Sequence, residues 1–264
     1  MSAAMNANEF AAVIREAEAL RWLTENVEPL LATLDPETPH VFGEDFGRSG
    51  DLTVIVPLAI LKSLVRRAPF IVELRNVPFE QQWQILKFIA DRLPRLRAGK
   101  LDARGNGSYI AEVAMQAYGE TRIECVMLTE PWYREQMPPM KAAFEDGTIQ
   151  LPKDRDVQDD IRGLTFIRGV LRVPDKRTKD GEGHGRHGDA AIAIALAHAA
   201  SRAEVELYEY ESHPQQPAGG AAKWHDTAEE QALADEEDDA KGRAPGLFPA
   251  LRGGMLPRPR GTAL

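Results

Sequence analysis

Short apolar runs alternate along the chain with longer segments in which apolar residues recur at helical spacing. Two apolar runs between His40 and Ile60, joined by a turn that contains Gly47, Ser49 and Gly50, predict a β-hairpin. Further strands are predicted at 69–74, 100–103 and 123–128, and a second hairpin at 163–173. Helices are predicted at 9–33, 78–93, 108–118 and 132–144, and an Ala-rich helix begins at 189. This alternation predicts an α/β fold whose mixed sheet is covered by helices on both faces.

Composition divides the chain into three segments, which we predict to be a helical segment at 1–37, one domain at 38–202 and a low-complexity tail at 203–264. The net charge of −9 argues at first against a nucleic-acid substrate, but the tail carries most of it. Residues 203–240 contain 12 acidic residues and one lysine, whereas 241–264 contain five basic residues and no acid. We therefore expect a nearly balanced domain and a largely disordered tail, of which the part from about Ser212 onward should be dispensable for folding and activity.

Cysteine content and hydropathy limit the cellular setting. The single cysteine, Cys125, excludes an internal disulfide and is typical of a reducing cytoplasm. The sequence contains neither an apolar run long enough to span a membrane nor the basic-then-apolar start of a signal peptide. We therefore expect a soluble cytoplasmic protein that does not bind a membrane.

Three aspartates occupy positions where a carboxylate is costly without a partner. Asp45 lies just before the hairpin turn, Asp102 ends a strand before a Gly-rich turn, and Asp189 opens the Ala-rich helix. A divalent cation would offset the charge of several acids that converge on one point. Hard oxygen ligands, without a Cys/His cluster, favour two Mg²⁺ or Mn²⁺ ions over Zn²⁺. The alternative is that each aspartate only caps a turn or a helix.

Further polar residues near these aspartates are weaker candidates. His187 precedes Asp189 by two residues, so it could ligate a metal. If the metal ions assist hydrolysis of a phosphodiester, His187 could also reach the phosphate or the attacking water. His184 lies between glycines that leave it unrestrained. Asp51 and Glu73 are candidates for a fourth acid, although a surface or strand-end charge explains both. Glu44 should point to the opposite face of the sheet from Asp45, which favours a structural role.

Two groups of basic residues accompany the acids along the sequence. The first group precedes Asp189 and consists of Arg168, Arg172, Lys176, Arg177, Lys179 and Arg186. The second leads to and past Asp102 and consists of Arg92, Arg95, Arg97, Lys100 and Arg104. Because Arg and Lys make most phosphate contacts in nucleic-acid complexes, we expect the first group and Arg104 to bind the DNA backbone. A solvated basic loop is the alternative for the first group.

The three acidic motifs, in this order and spacing, resemble a known family. Gly43-Glu-Asp-Phe-Gly, Leu101-Asp-Ala-Arg-Gly-Asn-Gly and His187-Gly-Asp-Ala-Ala-Ile-Ala look like the nuclease domain of tailed-phage terminase large subunits, particularly the Mu-like prophage group. The resemblance covers about residues 38–202 and implies a ribonuclease H-like fold. It also implies a two-metal endonuclease that cuts concatemeric double-stranded viral DNA in the bacterial host cytoplasm.

The same resemblance implies partners. These are the portal protein, a small terminase subunit and a motor ATPase. No Gly-x-x-x-x-Gly-Lys-Ser/Thr motif occurs in the sequence, so we expect this chain to lack a phosphate-cradling motor loop.

Two other functions remain open from the sequence. Asp45-Phe-Gly-Arg-Ser-Gly-Asp also resembles the first phosphate loop of actin-like ATPases and sugar kinases. That reading needs a second Asp-Gly-x-Gly loop, of which Leu101-Asp-Ala-Arg-Gly-Asn-Gly is a poor version, and a longer chain. The third is a non-catalytic packaging adaptor in which the tail acts and the nuclease fold is a scaffold. DNA nicking and ATP turnover distinguish the three.

Overall fold

The structure, a computed structural model, describes residues 4–5, 16–47, 52–174, 178–181, 183 and 185–203, all within the compact unit Met1–Tyr208. The strands are β1 (Ala4–Met5), β2 (His40–Asp45), β3 (Leu52–Ile60), β4 (Arg66–Arg67), β5 (Ile71–Arg75), β6 (Leu96–Asp102), β7 (Ile123–Val126), β8 (Ile149–Gln150), β9 (Thr165–Ile167), β10 (Val170–Arg172), β11 (Thr178–Lys179) and β12 (Gly185–Arg186). The helices are α1 (Glu16–Asn26), α2 (Glu28–Leu31), α3 (Phe79–Ala90), α4 (Gly107–Tyr118), α5 (Glu130–Glu145), α6 (Arg155–Arg162) and α7 (Asp189–Ala200). Within these ranges, none of the helices combines the length and apolar character that crossing a membrane requires.

A mixed sheet forms the centre of the described structure. Its strand order is β1-β5-β3-β2-β6-β7, and β4 pairs with both β3 and β8. The predicted hairpin is confirmed as the antiparallel pair β2 and β3, while β6 pairs in parallel with β2 and β7 pairs in parallel with β6. Helices cover both faces of this sheet. The fold is therefore the α/β fold, with a mixed sheet covered by helices on both faces, that the sequence predicted.

The two faces of the sheet carry separate hydrophobic cores. Helices α5, α6 and α7 share one core with Val54 and Val56, whereas α1, α3 and α4 share the other with Ile55. Alternate residues of β3 thus point to opposite faces, and both faces are covered. This explains why the strand is a continuous apolar run in the sequence.

Helix α7 lies unusually close to strand β2, and the contact is made at Gly43. A Cβ atom added to Gly43 would lie 2.3 Å from the Ala193 carbonyl oxygen and 2.2 Å from the Ala197 nitrogen. Asp189 precedes Ala193 by one turn, a distance of about 6 Å along the helix. Asp45 follows Gly43 by two residues, a distance of about 7 Å along the strand. The glycine contact therefore brings the two aspartates to the same level of the fold.

Three parts of the chain differ from the sequence predictions or lie outside them. Helix α6 was not predicted, because its eight residues are mostly charged and only Val157 and Asp160 are buried. The segment 174–188, for which the sequence predicted neither a strand nor a helix, contains the antiparallel pair β11 and β12. The helix predicted at 9–33 is described from residue 16 and consists of α1 and α2, whereas residues 6–15 and the tail from 204 lie outside the described residues.

Glu44 is a buried acid on strand β2. It is 1 % exposed, and among the described residues neither of its carboxyl oxygens has a hydrogen-bond partner. Its neighbour two residues back, Phe42, belongs to the core of α1, α3 and α4, so Glu44 points away from the face that carries Asp45. Burial raises the pKa of Glu44 to about 8. The side chain is therefore predominantly protonated at neutral pH.

Replacement of Gly43 by alanine tests the close approach of α7. We expect Gly43→Ala to lower the free energy of unfolding by at least about 2 kcal/mol, because the new methyl group meets helix backbone that cannot move cheaply. Gly181→Ala is the matched control, since a Cβ there meets nothing within 4 Å. Urea unfolding followed by circular dichroism measures both, and equal stabilities would contradict the packing described for Gly43.

Replacement of Glu44 by glutamine tests the burial of its carboxyl group. Because the folded-state pKa of about 8 exceeds the usual value of 4.5, the contribution of this group to the free energy of unfolding is fully present below about pH 4.5. That contribution is lost as the pH rises through about 8. The stability of the wild type relative to Glu44→Gln should thus fall by on the order of 4 kcal/mol between about pH 4.5 and about pH 9. Urea unfolding of both proteins across this range measures the difference, and a pH-independent difference would refute the assignment.

Candidate active site

The three predicted aspartates meet at one edge of the sheet. In the parallel pair β2 and β6, Glu44 lies opposite Leu101, so the next residues, Asp45 and Asp102, end their strands side by side. Asp189 is the first residue of α7, which packs on both strands. The three aspartates are 7 %, 5 % and 6 % exposed, respectively. Three buried carboxylates, from β2, β6 and α7, therefore lie together at this edge of the sheet.

These aspartates line a cavity of about 310 Å³, which we call the acidic pocket. Its lining residues are Asp45, Phe46, Asp102, Arg104, Leu128, Glu130, Tyr133, Arg172, Val173, His187, Asp189 and Ile192. Three other predicted functional side chains, Arg104, Arg172 and His187, also line the pocket, whereas Arg186 does not. The pocket thus combines acidic, basic and apolar walls.

The acidic pocket holds its negative charge at an energetic cost. Burial raises the pKa of Asp45 well above its usual value, and the nearby charges of Asp189 and Asp102 raise it further. Arg104 acts in the opposite direction but does not compensate for the other effects. Three carboxylates at this separation therefore favour either a bound proton or a bound cation. This is the electrostatic condition that a divalent cation would relieve.

Arg104 forms an ion pair with Asp102. Its Nη2 lies 2.8 Å from Oδ2 of Asp102, and its Nε lies 3.0 Å from Oδ1 and 3.1 Å from Oδ2. Burial would lower the pKa of Arg104, but the hydrogen bonds and the charge of Asp102 raise it overall. Arg104 is thus held beside the aspartates rather than extended into solvent.

The wall that faces the aspartates comes from α5 and β10. Arg172 donates to Glu130 at 3.3 Å, and its guanidinium carbon lies 5.5 Å from the centre of the Tyr133 ring. Burial raises the pKa of Tyr133, which therefore remains a neutral phenol. Sequence reasoning missed Glu130 and Tyr133. Their spacing of three residues in a helix offered a signal that they share a face, but not that this face meets the aspartates.

His187 lies where the sequence placed it, beside Asp189. It is partly exposed, it lines the acidic pocket, and its backbone N–H donates to Oδ2 of Asp189 at 3.4 Å. Gly188, between them, has a positive φ of 73° that a side chain would disfavour. Asp51 and His184 lie outside the described residues.

Arg186 and Glu73 correct two expectations. Arg186 was predicted to bind DNA and Glu73 to be a surface or strand-end charge, yet both are buried, and their side chains pair through contacts of 2.6 and 2.8 Å. Arg186 also binds Asp160 of α6 at 2.8 Å. Burial removes the guanidinium from the reach of a DNA backbone. We call Arg186, Glu73 and Asp160 the buried ion triad.

The buried ion triad supports the start of α7. Oδ2 of Asp160 accepts a hydrogen bond from the backbone N–H of Ala190 at 3.3 Å, next to Asp189. A second buried pair, Arg75 with Asp180 at 3.1 Å, ties the segment before β12 to strand β5. These contacts fix the chain on the N-terminal side of Asp189 by charge rather than by apolar packing.

The other predicted DNA-binding residues have different surroundings. Arg168 and Lys179 are exposed, and Arg168 forms part of the turn between β9 and β10 with a φ of 51°. Lys176 and Arg177 lie outside the described residues. Of the second basic group, Arg104 lines the acidic pocket, whereas Lys100 pairs with Glu124 and Arg95 with Glu37.

The acidic pocket has the donor chemistry for a hard divalent cation but not a ready-made ligand set. Among the described residues, no group of three His, Cys, Asp or Glu side chains already has the arrangement of a metal site. One reason is Asp102, whose two oxygens both bind Arg104. Three buried carboxylates and the raised pKa of Asp45 still match a cation chemically. Rearrangement at Asp102 is what such binding requires.

Two curated proteins of Mu-like phages are similar to the chain. It is 47 % identical over 172 residues to the probable terminase, large subunit gp28, of Escherichia phage Mu, covering 65 % of this chain and 31 % of that protein. It is 43 % identical over 164 residues to the Mu-like prophage FluMu protein gp28 of Haemophilus influenzae, covering 62 % and 32 %. The chain thus spans about a third of the length of the curated relatives that it matches. No family model matches the sequence.

Solved structures similar to the chain include two nucleases. The large terminase nuclease from thermophilic phage G20c with bound magnesium is 18 % identical, with 62 % of this chain and 82 % of that chain covered and a TM-score of 0.47. The large terminase nuclease domain of Thermus phage P74-26 is 15 % identical, with 62 % and 80 % covered and a TM-score of 0.45.

Removal of Arg186 tests the buried ion triad. We expect Arg186→Met to lower the free energy of unfolding by about 3 to 5 kcal/mol, because two buried carboxylates lose their partner. Arg21→Met is the control, since Arg21 pairs with Glu25 at a site where its side chain is 79 % exposed, and its loss should cost less than about 1 kcal/mol. Urea unfolding of both variants measures the contrast. Similar losses for the two would show that Arg186 is not the buried anchor described.

Proposed function

Because the chain is similar to a part of the probable terminase, large subunit gp28, of phage Mu, we propose that it is a metal-dependent endonuclease. Its substrate is double-stranded DNA, cut by phosphodiester hydrolysis during packaging of concatemeric viral DNA. The observation that carries the proposal is the meeting of three buried aspartates, from β2, β6 and α7, in one pocket with basic side chains. Acids in such a pocket suit cation-assisted attack on a phosphate.

The residues that would hold the metal are Asp45, Asp102 and Asp189. Their carboxylates are the hard oxygen donors that Mg²⁺ and Mn²⁺ prefer. Two such ions, when bound, would activate the attacking water and stabilise the leaving 3′ oxygen.

The remaining pocket residues bind and orient the substrate. Arg172, which contacts Glu130 and the face of Tyr133, lines the same pocket as the aspartates and would contact the DNA phosphate there. His187 borders the pocket beside Asp189, where its ring can donate a hydrogen bond to the phosphate or to the attacking water. Leu128 and Ile192 supply apolar surface that limits the entry of bulk water.

Recognition of DNA would rest on its phosphates. The exposed Arg168 and Lys179 would extend the basic surface beyond the pocket, and the sequence adds Lys176 and Arg177 as further phosphate contacts, outside the described residues. Side chains of this kind read the backbone and not the base edges, so cutting has little sequence preference. Specificity in the cell would then come from partners that deliver the DNA, namely the portal protein, a small terminase subunit and a motor ATPase. The chain itself would cut without ATP.

Substitution of the three aspartates tests the proposed function. Asp45→Asn, Asp102→Asn and Asp189→Asn should each abolish plasmid nicking in Mn²⁺, because each removes a ligand charge. Without metal, the melting temperature of Asp45→Asn should be unchanged or raised, since the substitution relieves repulsion by the other two carboxylates. Near wild-type cleavage by any one variant would show that the residue is not a ligand.

The control and the competing functions use the same assay. Asp146→Asn removes an exposed carboxylate at the opposite end of α5 from the pocket, so this variant should cleave like the wild type. ATP turnover by a protein that does not nick DNA would favour the actin-like or sugar-kinase alternative. A wild-type protein that never cuts DNA with Mg²⁺ or Mn²⁺ would favour the packaging adaptor.

A further inference from the structure

The contact between Arg104 and Asp102 uses every oxygen of that carboxylate. Besides the three guanidinium contacts, the backbone N–H of Arg104 donates to Oδ1 of Asp102 at 3.0 Å. The carboxylate thus accepts four hydrogen bonds from one residue two positions away. A cation that takes Asp102 as a ligand must therefore compete with Arg104 for the same lone pairs.

The two members of this pair differ in their freedom to move. Asp102 ends a strand that is paired on both sides, and its side chain is 6 % exposed. The side chain of Arg104 is 48 % exposed and follows the strand in a Gly-rich turn. Arg104 is consequently the member that can leave, by rotation of its own side-chain torsions.

A phosphate is the natural second partner for the released guanidinium. Arginine binds carboxylate and phosphate with the same two-pronged geometry. Arg104 borders the acidic pocket, which also contains Arg172. A divalent cation that neutralises the aspartates weakens their attraction for Arg104. The released guanidinium then adds its positive charge to that of Arg172 in the pocket.

We propose that Arg104 exchanges Asp102 for a phosphate of the DNA backbone when a divalent cation binds the aspartates. The inference rests on the proposed nuclease function and adds a coupling between its two ligands. Without DNA, Arg104 competes with the cation and weakens its binding. With DNA, the phosphate holds Arg104 away from Asp102, so the cation binds more tightly. By linkage, the cation strengthens DNA binding by the same factor.

A fixed structural ion pair predicts the opposite sign. If Arg104 only held Asp102 in place, its removal would misplace a ligand and weaken cation binding, as losses of residues that orient ligands commonly do. If Arg104 exchanges partners, its removal frees both oxygens of Asp102 and strengthens cation binding. The direction of the change therefore separates the two roles.

Isothermal titration calorimetry of Mn²⁺ binding without DNA gives the first result. Arg104→Met should bind Mn²⁺ about tenfold more tightly than the wild type, the size expected for hydrogen bonds between charged groups. Arg172→Met is the matched control, because it removes the same charge from the pocket but pairs with Glu130 instead of an aspartate of the site. Its Mn²⁺ affinity should rise by less than about threefold, since both oxygens of Asp102 stay bound to Arg104 in this variant.

Fluorescence anisotropy of a labelled DNA duplex gives the second result, with Ca²⁺ as the cation and gels to verify intact DNA. Ca²⁺ should strengthen DNA binding by the wild type, and Arg104→Met should lose most of this enhancement. Weaker or unchanged Mn²⁺ binding by Arg104→Met, or equal gains in Arg104→Met and Arg172→Met, would overturn the proposal. Arg104→Gln serves as a second variant, with circular dichroism to verify that both fold.

Failure of the coupling is distinguishable from failure of the nuclease assignment. A wild-type protein that binds Mn²⁺ and nicks plasmid DNA while Arg104→Met shows no gain in affinity refutes the exchange alone. A wild-type protein that neither binds Mn²⁺ nor cuts DNA refutes the proposed function itself.

Discussion

The close approach of helix α7 to strand β2 is the constraint on which the site depends. Only a glycine at 43 allows the helix backbone to lie against the strand, and small residues along α7 keep the distance short. A larger residue at Gly43 would displace the helix, and Asp189 would move away from Asp45. The geometry of the acidic pocket is therefore a result of backbone packing before it is a result of side-chain chemistry.

The sequence revealed the fold and the aspartates because both have local signals. The β2–β3 hairpin has a continuous apolar run and a Gly/Ser turn, and each aspartate follows such a run or opens a helix. The role of Arg186 had no local signal, since its partner Glu73 lies 113 positions away in the chain. Tyr133 was missed for the same reason: its meeting with the aspartates is decided by how α5 packs. Helix α6 was missed because few of its residues are apolar and its buried Asp160 pairs with Arg186, which lies 26 positions away in the chain.

Buried charge is distributed very unevenly around this sheet. Arg186 forms ion pairs with two carboxylates in the buried ion triad, whereas Arg104 forms an ion pair with only one of the three aspartates of the pocket. On the other face, Glu44 has no partner among the described residues and avoids the cost by keeping its proton. Strand β2 thus carries two neighbouring buried acids in different surroundings. Glu44 lies protonated in an apolar core, whereas Asp45 lies beside two other carboxylates in the acidic pocket. Such an excess of acid is costly for the protein alone, and the proposed cation would offset this cost in the acidic pocket.

All twelve residues of α7 are buried, and this sets the motions that the site can make. A helix enclosed on every side cannot shift without opening both its own contacts and those of the sheet beneath it. Its amide hydrogens beyond the first turn should exchange with solvent only on global unfolding, and the backbone of Asp189 is anchored to this slow-opening helix. The pocket therefore has a stationary half, formed by α7 and β2, and an adjustable half, formed by the turn after β6. Catalytic turnover would depend on rapid motion in the second half alone.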